Sequence, residues 1–386
     1  MNLNHRLRLS ILTLMVMGIF GAESLQATPR FALETGSTCI TCHANPTGGG
    51  MRNDYGQGFA IDEIPMDLAS DWAAPWPGGF VTDWLRVGAE FRVQALNYQA
   101  ADGSRKSPLF AMQSDIYGQI LMNDQVDVVF KTGLDPAYAT PEFWLRLLQS
   151  ESDNYIRAGR FQPNYGLRLD DHTAYIRGGD LRLSQSGFGS AGLSFSPMTP
   201  KPTAVEVGFF PGSHFQFTAS LANRFIKGAS PAYGFNESLG EKNFAIQGGY
   251  WTEWGPIGVA VFGNFMQEDE ITLAGSHWGL TWLNFTWLGE VDWAMDYITA
   301  GQNSQAVFQE LTYTLLQGLA VSGRYEHFDP DLSSASGSLS RVDVGLNLFP
   351  TSFGEIQFHL RWPMVEQNGE ISTAPMQGIL QFHTWF

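Results

Sequence analysis

The chain has few cysteines, few basic residues and, after its amino terminus, no long apolar run. Only two of its 386 residues are cysteines, which excludes a zinc site built from two cysteine pairs. It carries 22 lysines and arginines against 38 aspartates and glutamates, and a net charge of −16 excludes a nucleic-acid-binding role. No later stretch has enough consecutive apolar residues for a membrane-spanning helix, although 44% of the residues are hydrophobic. The apolar residues are therefore interleaved with polar ones.

The first 27 residues have the composition of an export signal. Arg6 and Arg8 precede an apolar stretch over residues 9–22, and the small residue Ala27 marks a plausible cleavage point. The apolar stretch is too short for a spanning helix. We therefore expect residues 1–27 to be removed and the mature protein to leave the cytoplasm.

The two cysteines form the most informative motif of the chain. Cys39 and Cys42 are three positions apart and His43 follows directly, which is the spacing of covalent c-type haem attachment. The two thiols would form thioethers with the haem vinyl groups, and the imidazole would be the proximal ligand of the iron. A disulfide between the cysteines would suit an exported protein, but it gives no reason for the adjacent histidine. The motif predicts one covalent haem c.

The distal ligand of this haem is left open by the sequence. Met51 follows His43 by eight residues, and the glycine-rich stretch between them is long enough to return to the other face of the porphyrin. Met66 has a longer tether. A barrel histidine such as His172, or no protein ligand, also agrees with a c-type haem. We take Met51 as the first candidate for the distal ligand.

A period of two runs through several segments near the carboxyl end. The apolar members are Val291, Trp293, Met295 and Tyr297, then Val342, Val344, Leu346 and Leu348, then Ile356, Phe358, Leu360 and Trp362. The polar members are Glu290, Asp292 and Asp296, then Arg341, Asp343 and Asn347, then Glu355, Gln357, His359 and Arg361. Because charged groups lie in mid-strand and aromatic residues near strand ends, the pattern favours a membrane barrel with a wet lumen over a soluble sandwich.

The spacing of turns predicts an all-β fold, a large antiparallel transmembrane β-barrel of roughly 16 to 18 strands. Alternate short turns and long loops support it, with a turn predicted at Leu288-Gly289 and a long loop at residues 268–275. The last segment alternates and ends in Phe386, which resembles the carboxy-terminal strand of bacterial outer-membrane proteins. We expect the barrel over residues 81–386, preceded by a short irregular or helical haem-binding segment and linker over residues 28–80, too short for an independent cytochrome core.

A cluster of arginines forms a second candidate site. Its members, with the acidic and histidine residues among them, are Arg157, Arg160, Arg168, Asp170, Asp171, His172, Arg177 and Arg182. One interpretation is a lumen constriction or haem-facing patch, in which guanidinium groups pair with haem propionates or set pore selectivity. The other is a set of lumen ion pairs that neutralise each other. A catalytic triad is improbable, because no serine lies in a nucleophile-elbow motif.

The chain resembles the fused cytochrome-porin family of outer-membrane electron-transfer proteins, best known from iron-oxidising bacteria. The resemblance rests on the signal, the single haem motif in a short leader and the large barrel. A local run is also similar, consisting of Pro29, Phe31, Ala32, Thr35, Gly36, Cys39, Cys42, His43, Asn53, Tyr55, Gly56 and Phe59. The chain departs from the family over residues 45–52, where three glycines replace a more aromatic and basic stretch.

The resemblance implies an electron conduit in the outer membrane of a Gram-negative bacterium. Electrons would pass between an external donor or acceptor, such as ferrous iron, and a periplasmic c-type cytochrome, which would make the protein a ferrous iron:cytochrome oxidoreductase. Glu268, Asp269 and Glu270 fall in a predicted external loop and would attract such cations. The alternatives are a general porin for small solutes, in which the haem is a structural plug or redox sensor, and a soluble periplasmic cytochrome with a β domain.

Overall fold

The computed structural model of the chain describes residues 30–66, 79–100, 103–134, 141–149, 152–169, 171, 173–179, 192–193, 201–212, 214–226, 243–367 and 369–386. The predicted export signal lies outside these residues, as do Asp170, His172 and Arg182. No helix in the described part of the chain is long and apolar enough to cross a membrane.

Sixteen antiparallel strands form a closed barrel, because the last strand pairs with the first. In chain order the strands are β1 Leu85–Gln99, β2 Leu109–Asn123, β3 Val126–Gly133, β4 Glu142–Leu148, β5 Tyr155–Arg160, β6 Thr203–Phe209, β7 Phe215–Ala222, β8 Asn243–Trp254, β9 Ile257–Glu268, β10 Ile271–Trp282, β11 Phe285–Met295, β12 Asn303–Leu316, β13 Leu319–Asp329, β14 Leu339–Thr351, β15 Gly354–Gln367 and β16 Gln377–Trp385. Three short strands, Phe80–Thr82, Arg105–Lys106 and Glu370–Thr373, extend its rims. The predicted strand number is confirmed at its lower limit.

The period of two decides which side chains face the lumen. On β15, Phe358 and Trp362 are 42% and 37% exposed on the outer surface, whereas His359 and Arg361 are 7% and 3% exposed inside. The strand therefore presents apolar residues to lipid and buries its charged residues in the lumen, which is the arrangement of a membrane barrel. The same division holds on β11 and β14, as the sequence predicted.

Two predicted connections were wrong. Leu288-Gly289 lies inside β11, and Gly289 is required there because a Cβ at this position would lie 2.3 Å from the Trp278 ring of β10. Residues 268–275 form no long loop, since β9 ends at Glu268 and β10 begins at Ile271. Within residues 268–275, Gly275 likewise lies inside β10, where a Cβ would lie 1.9 Å from the Asp292 carboxylate of β11, so both glycines make room for a neighbouring side chain and do not end a strand.

The lengths of the connections orient the barrel. The turns after β2, β8, β10, β12 and β14 are short and lie at one rim, which we assign to the periplasm. The connections after β5, β7 and β13 are longer and lie at the other rim. The connection after β5 is the longest, and its described residues between 161 and 202 fold into the lumen as an inner loop that includes a 3₁₀ turn, Tyr175–Arg177.

Residues 30–66 form a lumenal plug made of three short helices. They are α1 Arg30–Thr35, α2 Cys39–Cys42 and α3 Asp54–Asp62. Leu33 of α1 packs on the inner face of β10, where a Cβ on Gly279 would lie 2.0 Å from its side chain. Near the end of the plug, the Met66 N–H donates to the Phe349 carbonyl oxygen at 3.0 Å, beside a periplasmic turn. The plug therefore fills the periplasmic half of the lumen.

Candidate functional site

The haem-attachment motif is held by local hydrogen bonds that start at its own residues. Thr38 caps α2, because its hydroxyl accepts a hydrogen bond from the Thr41 N–H at 3.3 Å. The His43 N–H donates to the Cys39 carbonyl oxygen at 2.9 Å and ends the helical turn. Both thiols are thus presented from one turn, with the imidazole directly after it. Neither cysteine forms a disulfide within the described residues.

A β-hairpin follows the motif and returns the chain over it. His43 pairs with Arg52 in an antiparallel bridge, so their side chains share one face of the hairpin. Gly48, Gly49 and Gly50 close the hairpin with φ angles of +82°, +72° and +66°, a conformation that favours glycine. A Cβ on Gly48 would lie 3.2 Å from the Cys39 sulfur, so the glycine run lets the backbone lie against the thiol.

Asn53 joins the motif to α3. Its side-chain oxygen accepts from the Gly56 N–H at 3.0 Å and caps α3. Its amide nitrogen donates to the carbonyl oxygens of Ile40 and Thr41 at 3.0 and 2.9 Å. Gly56 itself packs on α2, where a Cβ would lie 2.1 Å from the Cys42 carbonyl oxygen. One side chain therefore fixes the position of α2 against α3.

We expect Asn53→Ala to loosen the attachment motif. Loss of one cap and two hydrogen bonds costs about 3 kcal/mol, at roughly 1 kcal/mol each, and about 100-fold faster opening follows from that cost. Amide hydrogen exchange of residues 39–56 in the detergent-solubilised barrel measures it. Asn53→Ser is the matched control, because serine keeps the cap and loses only the two donations. Equal exchange rates in Asn53→Ala and the wild type would contradict the linking role.

Contacts with inward-facing barrel residues fix the plug in the lumen. The Arg146 guanidinium of β4 donates to the Ala44 carbonyl oxygen at 2.6 Å, and the Arg157 guanidinium of β5 donates to the Asn45 side chain at 2.8 Å. On the opposite wall, the Thr286 hydroxyl of β11 donates to the Glu34 carboxylate at 2.9 Å. The plug is thus attached to several strands around the barrel.

The thiols lie beside cationic groups. Burial raises the pKa of the Cys39 thiol to about 12, against the opposing effect of the Arg168 guanidinium. Burial also raises the pKa of Cys42, while a hydrogen bond from Ser37 and the charge of Arg52 act to lower it. Both thiols are therefore protonated at neutral pH in this folded state. Since thiolates are the reactive form of cysteine, both side chains are poor nucleophiles in this buried state.

A central cavity of about 330 Å³ is bordered by the plug, the inner loop and the barrel wall. The plug contributes His43, Gly49 and Arg52, and the loop contributes Arg168, Leu169 and Asp171. The barrel wall contributes charged, imidazole and indole groups, which include Arg92, Glu310, Arg324, Glu355, His359, Arg361, His383 and Trp385. The cavity is therefore rich in cationic groups, although the whole chain is acidic.

Aromatic and imidazole rings meet on the plug side of the central cavity. The Arg52 guanidinium lies 4.7 Å from the centre of the Trp385 ring, and the His383 ring lies 4.6 Å from the same indole. Burial lowers the pKa of Arg52 from its usual value, while the Glu90 carboxylate acts to raise it. His383 is held between Glu90 at 2.8 Å and Glu355 at 3.2 Å.

Asp171 is the anchor of the inner loop at the central cavity. Its carboxylate accepts hydrogen bonds from Arg324 of β13 at 2.7 Å and Arg361 of β15 at 2.8 Å. Burial acts to raise the pKa of Asp171, but Arg361 and Arg324 outweigh it and hold the pKa well below its usual range. The carboxylate therefore stays ionised and pins the loop to two strands.

The four described arginines of the predicted cluster have three different environments. Arg157 and Arg177 are lumen ion pairs, with Glu206 at 2.6 Å and Glu290 at 2.8 Å. Arg160 donates to the Lys201 carbonyl oxygen at 2.9 Å. Arg168 borders the central cavity beside the glycine turn and Cys39. Mutual neutralisation thus describes Arg157 and Arg177, and the haem-facing role of Arg168 stays a prediction.

Met51 and the remaining predicted residues have separate positions. Met51 is buried and packs in the core cluster that includes Tyr117 and Trp144. It borders, together with His43, a small cavity of about 80 Å³. Its role as distal ligand stays a prediction. Asp170 and His172, two further members of the cluster, lie outside the described residues.

Sequence reasoning missed the barrel residues that complete the central cavity. They come from eight strands, β1, β2 and β11 to β16, and the first two are far in the chain from the other six. His359 and Arg361 did appear on the polar face of an alternating segment, so that pattern was a usable signal for an inward position. Nothing in the sequence showed that β15 faces the plug, because this depends on closure of the barrel.

Comparisons with solved structures identify the fold. The outer-membrane channel DcaP of Acinetobacter baumannii is similar with a TM-score of 0.54 and 12% identity, over 80% of this chain and 99% of that chain. OmpT of Vibrio cholerae gives a TM-score of 0.52 and 11% identity, over 80% and 99%. An anion-selective porin from Comamonas acidovorans gives 0.51 and 10%, over 78% and 99%. No protein-family model and no curated protein matches the chain.

The fold is therefore that of a porin-like outer-membrane β-barrel. Its apolar outer surface and closed sheet locate the chain in the outer membrane of a Gram-negative bacterium. The comparisons support the barrel, and the resemblance to fused cytochrome-porins stays a prediction.

Proposed function

We propose that the protein is an outer-membrane electron conduit with one covalent haem c on Cys39 and Cys42. One observation supports this proposal above the others. The attachment motif is built into the plug inside the barrel, and His43 borders both the central cavity and a cavity of about 770 Å³ on the periplasmic side. A redox group ligated there would be enclosed by the barrel wall and would lie next to the periplasmic cavity.

The residues around the motif fit such a haem. Two reduced thiols on one helical turn supply the attachment points, and His43 supplies an imidazole ligand. Arg52 shares the face of His43, and Arg168 lies across the same cavity, so both are suited to bind propionate groups. When bound, the haem supplies one-electron redox chemistry. The chain itself supplies attachment, orientation, charge balance and exclusion of water.

The periplasmic cavity suits a basic electron carrier. Three of its lining aspartates, Asp83, Asp124 and Asp153, are exposed. An acidic rim attracts a partner with a basic face and speeds its association at low ionic strength. We therefore assign a periplasmic c-type cytochrome or a similar carrier to this side.

One of the three acidic residues predicted to attract ferrous iron on the external side is not available to it. Glu268 is buried and accepts hydrogen bonds from the Phe225 and Ile226 N–H groups, each at 2.5 Å, so it is not a free external ligand. Asp269 and Glu270 are exposed at the turn and would attract cations electrostatically. Ferrous iron would therefore meet two exposed carboxylates at this turn.

Electron transfer across a vesicle membrane tests the proposal. The full chain is reconstituted in liposomes that contain an oxidised, basic c-type cytochrome, and ferrous salt or a membrane-impermeant reductant is added outside. We expect a Soret band in the purified protein and reduction of the trapped cytochrome. Vesicles without the protein give the background. A purified protein without covalent haem would overturn the proposal.

A porin for small solutes is the second candidate function, with the haem as a structural plug or sensor. The solved structures with this fold include a channel and an anion-selective porin, which favours it. Liposome swelling in solutions of small sugars and organic anions separates the two functions. A conduit transfers electrons and swells slowly, whereas a porin swells fast and leaves the trapped cytochrome oxidised.

A further inference from the structure

One imidazole of the barrel wall has the geometry of a metal ligand. His359 is an inward-facing residue of β15 and borders the central cavity, as does His43. Its Nδ1 atom lies 2.8 Å from a carboxylate oxygen of Asp343 on β14. The other oxygen of Asp343 accepts a hydrogen bond from Arg361 at 2.5 Å. Arg361 therefore holds the Asp343 carboxylate in position, and the carboxylate in turn orients the His359 ring.

This contact determines which ring nitrogen is available. A carboxylate at Nδ1 favours the proton on that nitrogen and leaves the Nε2 lone pair for a metal. Among the described residues, the His359 ring makes one hydrogen bond, and its partner is Asp343. The paired residue on β14 is Gly345, where a Cβ would lie 2.8 Å from the ring. Glycine at this position lets the imidazole lie against the wall.

The other histidine of the cavity wall is bound differently. The two ring nitrogens of His383 are held by Glu90 at 2.8 Å and by Glu355 at 3.2 Å. Ligation through His383 would require one of these contacts to break. His359 needs no such change, because its carboxylate contact is at the nitrogen that does not ligate.

We infer that His359 is the distal axial ligand of the haem iron, opposite His43. This inference rests on the proposed function. It replaces Met51, the candidate from the sequence, with a residue of the barrel wall. Ligation by His359 would join the plug to β15 through the haem, so that haem binding would lock the plug in the lumen.

Spectroscopy of the purified full-length protein tests the inference. We expect the ferric wild type to be low-spin, with the near-infrared magnetic circular dichroism of two imidazole ligands. His359→Ala is expected to become high-spin and to return to low-spin when imidazole is added. His359→Met is expected to stay low-spin with a raised reduction potential, because a methionine ligand favours the ferrous state.

Two control variants and a haem stain separate the outcomes. His327 of β13 bonds Ser340 and does not border the central cavity, so His327→Ala should leave the spectrum unchanged. Met51→Leu should also leave it unchanged, and a loss of low-spin haem in that variant would overturn the inference in favour of methionine. A low-spin His359→Ala spectrum equal to that of the wild type would overturn it as well. Absence of stained haem in the wild type would instead refute the proposed function.

Discussion

Replacement of Cys39 and Cys42 together by serine is expected to abolish covalent haem and to lower transmembrane electron transfer to the level of protein-free vesicles. Serine hydroxyls form no thioether with vinyl groups, and axial histidine ligands do not retain haem through denaturation. Haem staining of a denaturing gel and reduction of the trapped cytochrome measure the two effects.

The barrel of this double variant is expected to assemble normally. The plug is attached to the wall through Glu34, Ala44 and Asn45, and none of these contacts involves a thiol. Heat-modifiable migration in gels and liposome swelling check this point. Ser37→Ala is the matched control, because it removes a hydrogen bond to Cys42 and keeps both thiols. Retained haem stain in the double variant would contradict the attachment.

The barrel was predictable from local pattern, because the alternation of side chains requires no knowledge of distant residues. β14 and β15 face lipid with Val344 and Phe358 and face the lumen with Asp343 and His359, as their alternation indicated. Turn prediction was less successful. Gly289 has the composition of a turn, but it serves as the space into which Trp278 packs, and that reason exists only once β10 and β11 are paired.

The candidate site was located by its motif, but its surroundings were not predictable. The spacing of Cys39, Cys42 and His43 by itself predicts a c-type haem attachment. Arg168 was selected within an arginine cluster, but its difference from Arg157 and Arg177 depends on which carboxylates barrel closure brings near them. Such long-range pairing has no local signature, so the cationic lining of the central cavity emerged only from the structure.

Arg157→Met is expected to destabilise the barrel by about 3–5 kcal/mol, because it leaves a buried carboxylate without its cation. The Arg157 side chain is fully buried and pairs with Glu206 of β6 at 2.6 Å. It also donates to Asn45 of the plug at 2.8 Å and to the Gln162 carbonyl oxygen of the inner loop at 3.1 Å. One guanidinium thus joins wall, plug and loop. Urea-induced unfolding in detergent measures the loss.

Two further variants show whether the stranded charge is the cause. In Arg157→Met/Glu206→Gln the carboxylate is neutralised, the amide oxygen can still accept from Ser220, and the amide nitrogen can donate to the Tyr155 hydroxyl oxygen, so most of the lost stability should return. Arg160→Met on the same strand removes a hydrogen bond to a neutral carbonyl oxygen and should cost only about 1 kcal/mol. If the single and double Arg157 variants are equally unstable, the effect comes from lost packing on Phe161, whose ring centre lies 3.9 Å from the guanidinium. Proteolysis separates the contact with the plug from the ion pair with Glu206. Loss of the Asn45 contact should speed cleavage within residues 30–66 in both Arg157 variants, whereas the cleavage rate of Arg160→Met should equal that of the wild type.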